Sequence, residues 1–187
     1  MIVLLLTSCG PADGKKGESL ALRVRTQATE ASSCRMKADV TADYGDRVYG
    51  YTLDYQWNAE GDSRITVEAP ETIRGITAVI HQGEVRLTYE ETGLETGALD
   101  KNGLAPLDAL PALLRMCQEG YIAQADLEDW GEILAVRVTY GEANTSAVDA
   151  VQYRLWFSLE TEQPVYGEIL SGGQVILQCT FHSVEWT

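Results

Sequence analysis

From Met36 to Asp43 the chain alternates strictly, with Met36, Ala38, Val40 and Ala42 apolar and Lys37, Asp39, Thr41 and Asp43 polar. A period of two places the two sets on opposite faces of a pleated strand, so this run reads as a half-buried strand. The alternation returns in RVYGYTLDYQWN, where Tyr49, Tyr51, Leu53, Tyr55 and Trp57 share one face, and again in RITVEAP, ITAVI and EVRLTYE. Turn residues at Gly45-Asp46, EGD (60–62) and HQGE (81–84) keep the connections short, which predicts antiparallel hairpin neighbours. Toward the C-terminus EILAVRVTYG, AVQYRLWFSLE, PVYGEIL and QVILQCTFHSVEW follow, parted by GEANTS, TEQP and SGG, bringing the expected total to about nine strands.

Two segments carry a helical period instead. In ESLALRVRTQATEASS (18–33), Leu20, Val24, Ala28 and Ala31 fall on one side among good helix formers. In GLAPLDALPALLRMCQEGY, Leu110, Leu113, Leu114 and Cys117 recur at helical spacing, with Asp108 placed to cap, Pro111 in the first turn and Gly120 to stop the helix. A meander with one apolar face per strand has to cover that face, by closing on itself or by laying helices across it. The expected fold is therefore α+β and mainly antiparallel: a curved sheet wrapped around the helical insertion, with an N-terminal helix. A groove lined by tyrosines and aliphatics would lie between helix and sheet.

A chain of 187 residues is one domain's worth, and its apolar and charged fractions are those of an ordinary globular protein. A formal charge of −14 repels phosphate backbones and anionic bilayer surfaces, which excludes nucleic acid as a partner. No later stretch holds the roughly 20 apolar residues that a membrane span needs.

The opening, MIVLLLTSCG, changes that picture. Leu6-Thr7-Ser8-Cys9 sets an apolar residue three places before a cysteine, with small residues between, directly behind an apolar run. It resembles the lipobox of bacterial lipoprotein precursors, which implies that Cys9 is lipidated and becomes the first mature residue. The acyl chains would hold the protein on the outer face of the bacterial cell membrane. Only Ile2 to Leu6 precede the box, against about 7 to 15 apolar residues in a secretion signal, so residues 1–9 read as a signal-peptide remnant. Residues 10–17 read as a flexible tether and 18–187 as a single domain.

Candidate chemistry adds little. Cys34, Cys117 and Cys179 show no C-x-x-C spacing and read as buried small apolar residues in preference to a bridge, a metal site or a redox pair. His81 and His182 have no patterned nucleophile, and Ser183 points to the opposite face of the strand from His182. Asp100-Lys101-Asn102-Gly103 lacks the later ligands of a calcium loop and reads as a turn. Glu90-Glu91 and Glu128-Asp129 read as solvated charge, and Asn144-Thr145-Ser146 as a sequon without meaning in a bacterial lipoprotein. No catalytic residue, metal site or cofactor is expected, and the chain is not expected to be an enzyme.

The phrases EAPETIRGI before a hairpin and LAPLDALPALL in the insertion, with the element order around them, resemble the LolA/LolB-type lipoprotein carriers over residues 18–187. The nearest likeness is to the lipidated members of Gram-positive bacteria, including spore-germination lipoproteins. The resemblance implies an incomplete barrel whose concave face receives acyl chains, with Tyr51, Leu53, Tyr55, Ile65, Val67, Leu110 and Leu114 lining a cavity. The alternative is that these side chains simply pack on one another. The function expected is a membrane-anchored envelope lipoprotein that binds a lipid or acylated chain. The alternative is a non-catalytic scaffold whose partner is a protein of envelope or spore assembly.

Overall fold

The computed structural model describes residues 11–89, 92–98, 100–141 and 151–187. Its elements are α1 (Pro11–Glu30), β1 (Ser33–Asp43), β2 (Val48–Asn58), β3 (Ser63–Ala69), β4 (Thr77–His81), β5 (Glu84–Tyr89) and β6 (Thr92–Ala98), then α2 (Ala109–Glu119), β7 (Tyr121–Trp130), β8 (Ile133–Gly141), β9 (Val151–Ser158), β10 (Pro164–Ser171) and β11 (Gln174–Trp186). The strands form one antiparallel sheet in the order β6-β5-β4-β3-β2-β1-β11-β10-β9-β8-β7. β6 and β7 do not pair with each other, so the barrel stays open. The expected α+β class, incomplete barrel and N-terminal helix are all present.

There are eleven strands among the described residues, not nine. The two that periodicity did not predict, β6 and β7, are the edges of the sheet. Every residue of β6 is exposed, and β7 buries only Ala125 fully, with Ile122 and Leu127 partly buried against the core and an irregularity between Ile122 and Gln124 that breaks the alternation. Without a continuous buried face, as in β6, or with the register interrupted, as in β7, strict sequence alternation has no cause.

Residues 11–17, read from the sequence as part of a tether, are the first turns of α1. Gly17 is buried on β7, where a Cβ would come within 2.5 Å of the Ala125 carbonyl oxygen. Only glycine lets the helix approach the strand so closely. Leu20, Ala21, Val24 and Ala28 continue this buried side. The Arg25 guanidinium donates to the carbonyls of Cys117 and Gly120, and Gln118 Nε2 donates to the Ala28 carbonyl at 3.1 Å. Arg25 thus satisfies carbonyls at the end of α2 that have no partner within the helix.

α2 is buried on most of its surface, with Ala109, Leu110, Ala112, Leu113, Leu114, Met116 and Cys117 all in the core. The three cysteines of the domain are free and buried, as expected. On the outer face, a smaller apolar cluster joins β7, β9 and β10: Trp130 stacks on Tyr166 with centroids 4.9 Å apart, and Trp156 meets Tyr166 edge-on at 5.2 Å. Glu128 is not simply solvated there, since it pairs with Arg137 at 3.3 Å and accepts the Trp156 indole N–H.

Candidate functional site

Cross-strand register puts the inward residues of β2 to β5 on one continuous face. Leu53 lies opposite Val67, Tyr55 opposite Ile65, Ile65 opposite Ala78 and Ala78 opposite Leu87. Under β7–β11 and β1 that face meets the buried residues of α1 and α2 in one core. Under β2–β6 the cover is thinner, made of two chain segments in place of helices.

The first segment follows β3. A single 3-10 turn, Glu71–Ile73, folds back over Val67, whose N–H donates to the Ile76 carbonyl at 2.9 Å. The second is residues 100–108, which lead into α2. The Asp100 carboxylate accepts the N–H groups of Asn102 and Leu104 at 3.0 and 3.3 Å, so the DKNG stretch is a turn, as expected. Tyr153 donates to the Asn102 carbonyl at 3.1 Å, Arg115 to the Lys101 carbonyl at 2.7 Å and Tyr44 to the Leu104 carbonyl at 2.9 Å. Gly103 has φ +69°, and a Cβ there would sit 2.5 Å from that of Ala112, so glycine is needed both for the turn and for contact with α2.

Between these segments and the sheet lies a cavity of about 450 Å³, within the range of roughly 300–1,000 Å³ usual for small-molecule pockets. Its walls are Tyr51, Val67, Ile73, Ile76, Ala78, Val85, Leu87, Ala98, Ala105, Pro106 and Leu107, and its polar lining residues are Thr96 and Asp108. Thr96, Ala98 and Ala105 are exposed, so the cavity opens to solvent beside β6.

Of the seven residues expected to line a groove, Tyr51 and Val67 stand in this wall. Leu53, Tyr55, Ile65, Leu110 and Leu114 are buried in the core instead. Cys9 lies outside the described residues, as do Glu90, Glu91 and the 144–146 sequon. Residues that the sequence reading did not select, Ile73, Ile76 and 105–108, belong to the very phrases EAPETIRGI and LAPLDALPALL that carried the family resemblance.

Asp108 was expected to cap α2. It occupies the N-cap position but makes no capping bond, because its Oδ2 accepts the Asp100 N–H at 3.0 Å instead. Its pKa is pushed up to about 6 by burial, which the Asp100 N–H opposes and the Asp100 carboxylate reinforces. Burial also raises the Tyr44 hydroxyl, with smaller contributions from Tyr51 and Asp108 close by.

Solved structures share this fold at low sequence identity. No family model matches the sequence, and no curated protein matches it. A domain from Vibrio parahaemolyticus assigned to outer-membrane lipoprotein sorting aligns over 93% of this chain and 93% of its own, at TM-score 0.52 and 8% identity. A conserved protein of Thermus thermophilus aligns over 91% and 87%, at TM-score 0.52 and 11% identity. LprF from Mycobacterium bovis aligns over 92% and 93%, at TM-score 0.50 and 10% identity. The fold is the LolA-like half-barrel.

Neither histidine belongs to the cavity. His81 Nδ1 lies 2.6 Å from Asp62 and His182 Nε2 lies 2.9 Å from Asp39, both pairs exposed. Asp39 also accepts the Thr52 hydroxyl at 2.7 Å. Among the described residues no group of histidines, cysteines and carboxylates is arranged to hold a metal, and no helix is long and apolar enough to cross a membrane.

Proposed function

We propose that this protein is a membrane-anchored envelope lipoprotein that binds a lipid or acylated chain in the cavity under β2–β6. The observation that carries the reading is the cavity itself: about 450 Å³, walled by aliphatic side chains, open at one side and covered by two short segments. A solid core would leave nothing for a ligand to fill, whereas an apolar space of this size draws an alkyl chain from water at roughly 0.8 kcal/mol per methylene. Cys9, behind its lipobox-like run, supplies the anchor, and the chain therefore sits on the outer face of the cell membrane.

Native mass spectrometry of the full chain carrying Cys9→Ser, followed by solvent extraction, tests the binding. A co-purifying acyl species that Ile73→Asp removes supports it; a clean apo mass together with no uptake of added lipid overturns it. Palmitate labelling tests the anchor, which requires that incorporation be lost in Cys9→Ala.

A second reading has one observation in its favour. β6 pairs with β5 alone, is exposed along its length and presents Leu94 to solvent, so a partner's strand could add there. In that reading the protein is a scaffold, and the apo mass above is its expected result.

A further inference from the structure

We propose that the cavity selects aliphatic chains bearing a protonated amine head and rejects chains that end in a carboxylate. This rests on the hydrophobic-ligand reading above and names the head group that reading leaves open.

The argument begins with what the lining contains. Asp108 is the one side chain charged at neutral pH among the described lining residues, and no lysine, arginine or histidine joins it. The cations nearest in sequence are engaged elsewhere: Arg74, between Ile73 and Ile76, pairs with Glu71 at 2.9 Å and donates to the Glu68 carbonyl. Arg86 projects from the face of β5 opposite to Val85 and Leu87 and pairs with Glu95, while Arg115 is held by the Lys101 carbonyl and Glu119. An anionic head brought to this mouth would meet a carboxylate and no counter-charge, on a chain of net charge −14.

A cationic head meets the reverse. The Asp100 N–H occupies one acceptor site on Oδ2 of Asp108, so this lining carboxylate keeps further acceptor capacity. The Asp100 carboxylate is occupied by the N–H groups of Asn102 and Leu104 and does not compete. Tyr51 stands in the same wall, and aromatic rings attract ammonium groups. Burial raises the Asp108 carboxyl to about 6, yet it remains largely ionised at neutral pH. A charge kept at some cost inside an apolar pocket is a common mark of a recognition site.

The test uses the full chain carrying Cys9→Ser at pH 7.5, with dodecylamine, dodecanol and dodecanoate, each below its micelle concentration, displacing a fluorescent apolar probe. Dodecylamine is expected to bind at least about tenfold more tightly than dodecanoate, with dodecanol between them. Asp108→Asn keeps an acceptor for the Asp100 N–H and should bring dodecylamine down to the affinity of dodecanol. Equal affinities for amine and carboxylate, or a preference that survives Asp108→Asn, overturn the selectivity and leave the cavity reading standing. Failure of all three chains to bind overturns the cavity reading itself. Should Asp108→Asn not fold, the ranking of the three chains on the unsubstituted cavity decides.

Discussion

The Asp108 carboxylate takes the backbone N–H of Asp100 at 3.0 Å, closing the 100–108 segment on itself while leaving the first turn of α2 uncapped. This bond holds an acid where burial disfavours its charge. The folded state keeps the Asp108 proton up to about pH 6, against 3.8 for a free carboxyl, so unfolding releases that proton across this window. Stability therefore falls as pH rises from about 4 to 6, and above 6 the ionised group is a net cost. Asp100 and Tyr44 are the titratable neighbours that face it. Asp108→Asn should raise unfolding free energy by about 1 kcal/mol at pH 7.5, after allowance for partial exposure, with no gain at pH 4. Urea titrations at the two pH values check it.

Gly103 carries the second constraint on the same segment. Alanine there meets both the positive φ of +69° and the Cβ of Ala112 at 2.5 Å. The expected cost is about 1–3 kcal/mol, and the displaced segment should also loosen probe binding in the cavity. Denaturant unfolding and a binding isotherm on one Gly103→Ala preparation measure both.

Arg25 reaches from α1 to the end of α2. Arg25→Ala leaves the carbonyls of Cys117 and Gly120 without this donor and should cost about 1–3 kcal/mol. Hydrogen exchange should rise first in the last turn of α2, because that is where the lost donor acted.

Core and cavity wall should separate cleanly under substitution. Leu110 is fully buried in α2, and Leu110→Ala is expected to cost about 2–5 kcal/mol. Ile73 lies part-exposed over the cavity, so Ile73→Ala should weaken alkyl-chain binding with a stability change well under that of Leu110→Ala. Melting temperature and probe affinity, taken together, read the difference.

The thiols of Cys34, Cys117 and Cys179 are pushed up to about 12 by burial, Cys34 with a small addition from nearby Cys117. In a Cys9→Ser background, an aromatic disulfide reagent at pH 8 should label none of them in the folded state and all three in denaturant. A fast-reacting fraction without denaturant would show that this part of the core opens.

Sequence periodicity found the parts of the sheet that have a wet face and a dry one. β1 is the clearest instance: Cys34, Met36, Ala38, Val40 and Ala42 are all buried, and the residues between them are not. It missed β6 because the edge strand TGLETGA is exposed along its length, and β7 because the shift between Ile122 and Gln124 breaks its period. The same reasoning explains the site. Alternation shows that Leu53 and Tyr55 point inward, yet it cannot say whether a helix, a loop or empty space faces them. That depended on Ile73, Ile76 and residues 105–108, which lie in irregular segments and carry no period. Their signal lay in the phrases themselves, where apolar residues sit beside prolines and acids between regular elements. Asp108 shows the limit from the other side, since a residue type suited to capping found a stronger partner in Asp100.

β1 pairs along nearly its whole length with β11, from Cys34 opposite Trp186 to Ala42 opposite Leu177. The first strand synthesised thus waits for the last, and the sheet cannot be completed while the C-terminal residues are still being delivered. If the chain is threaded across a membrane from its N-terminus, the domain stays translocation-competent until the final residues emerge. Its maturation is then timed by the arrival of β11, not by the appearance of any early segment.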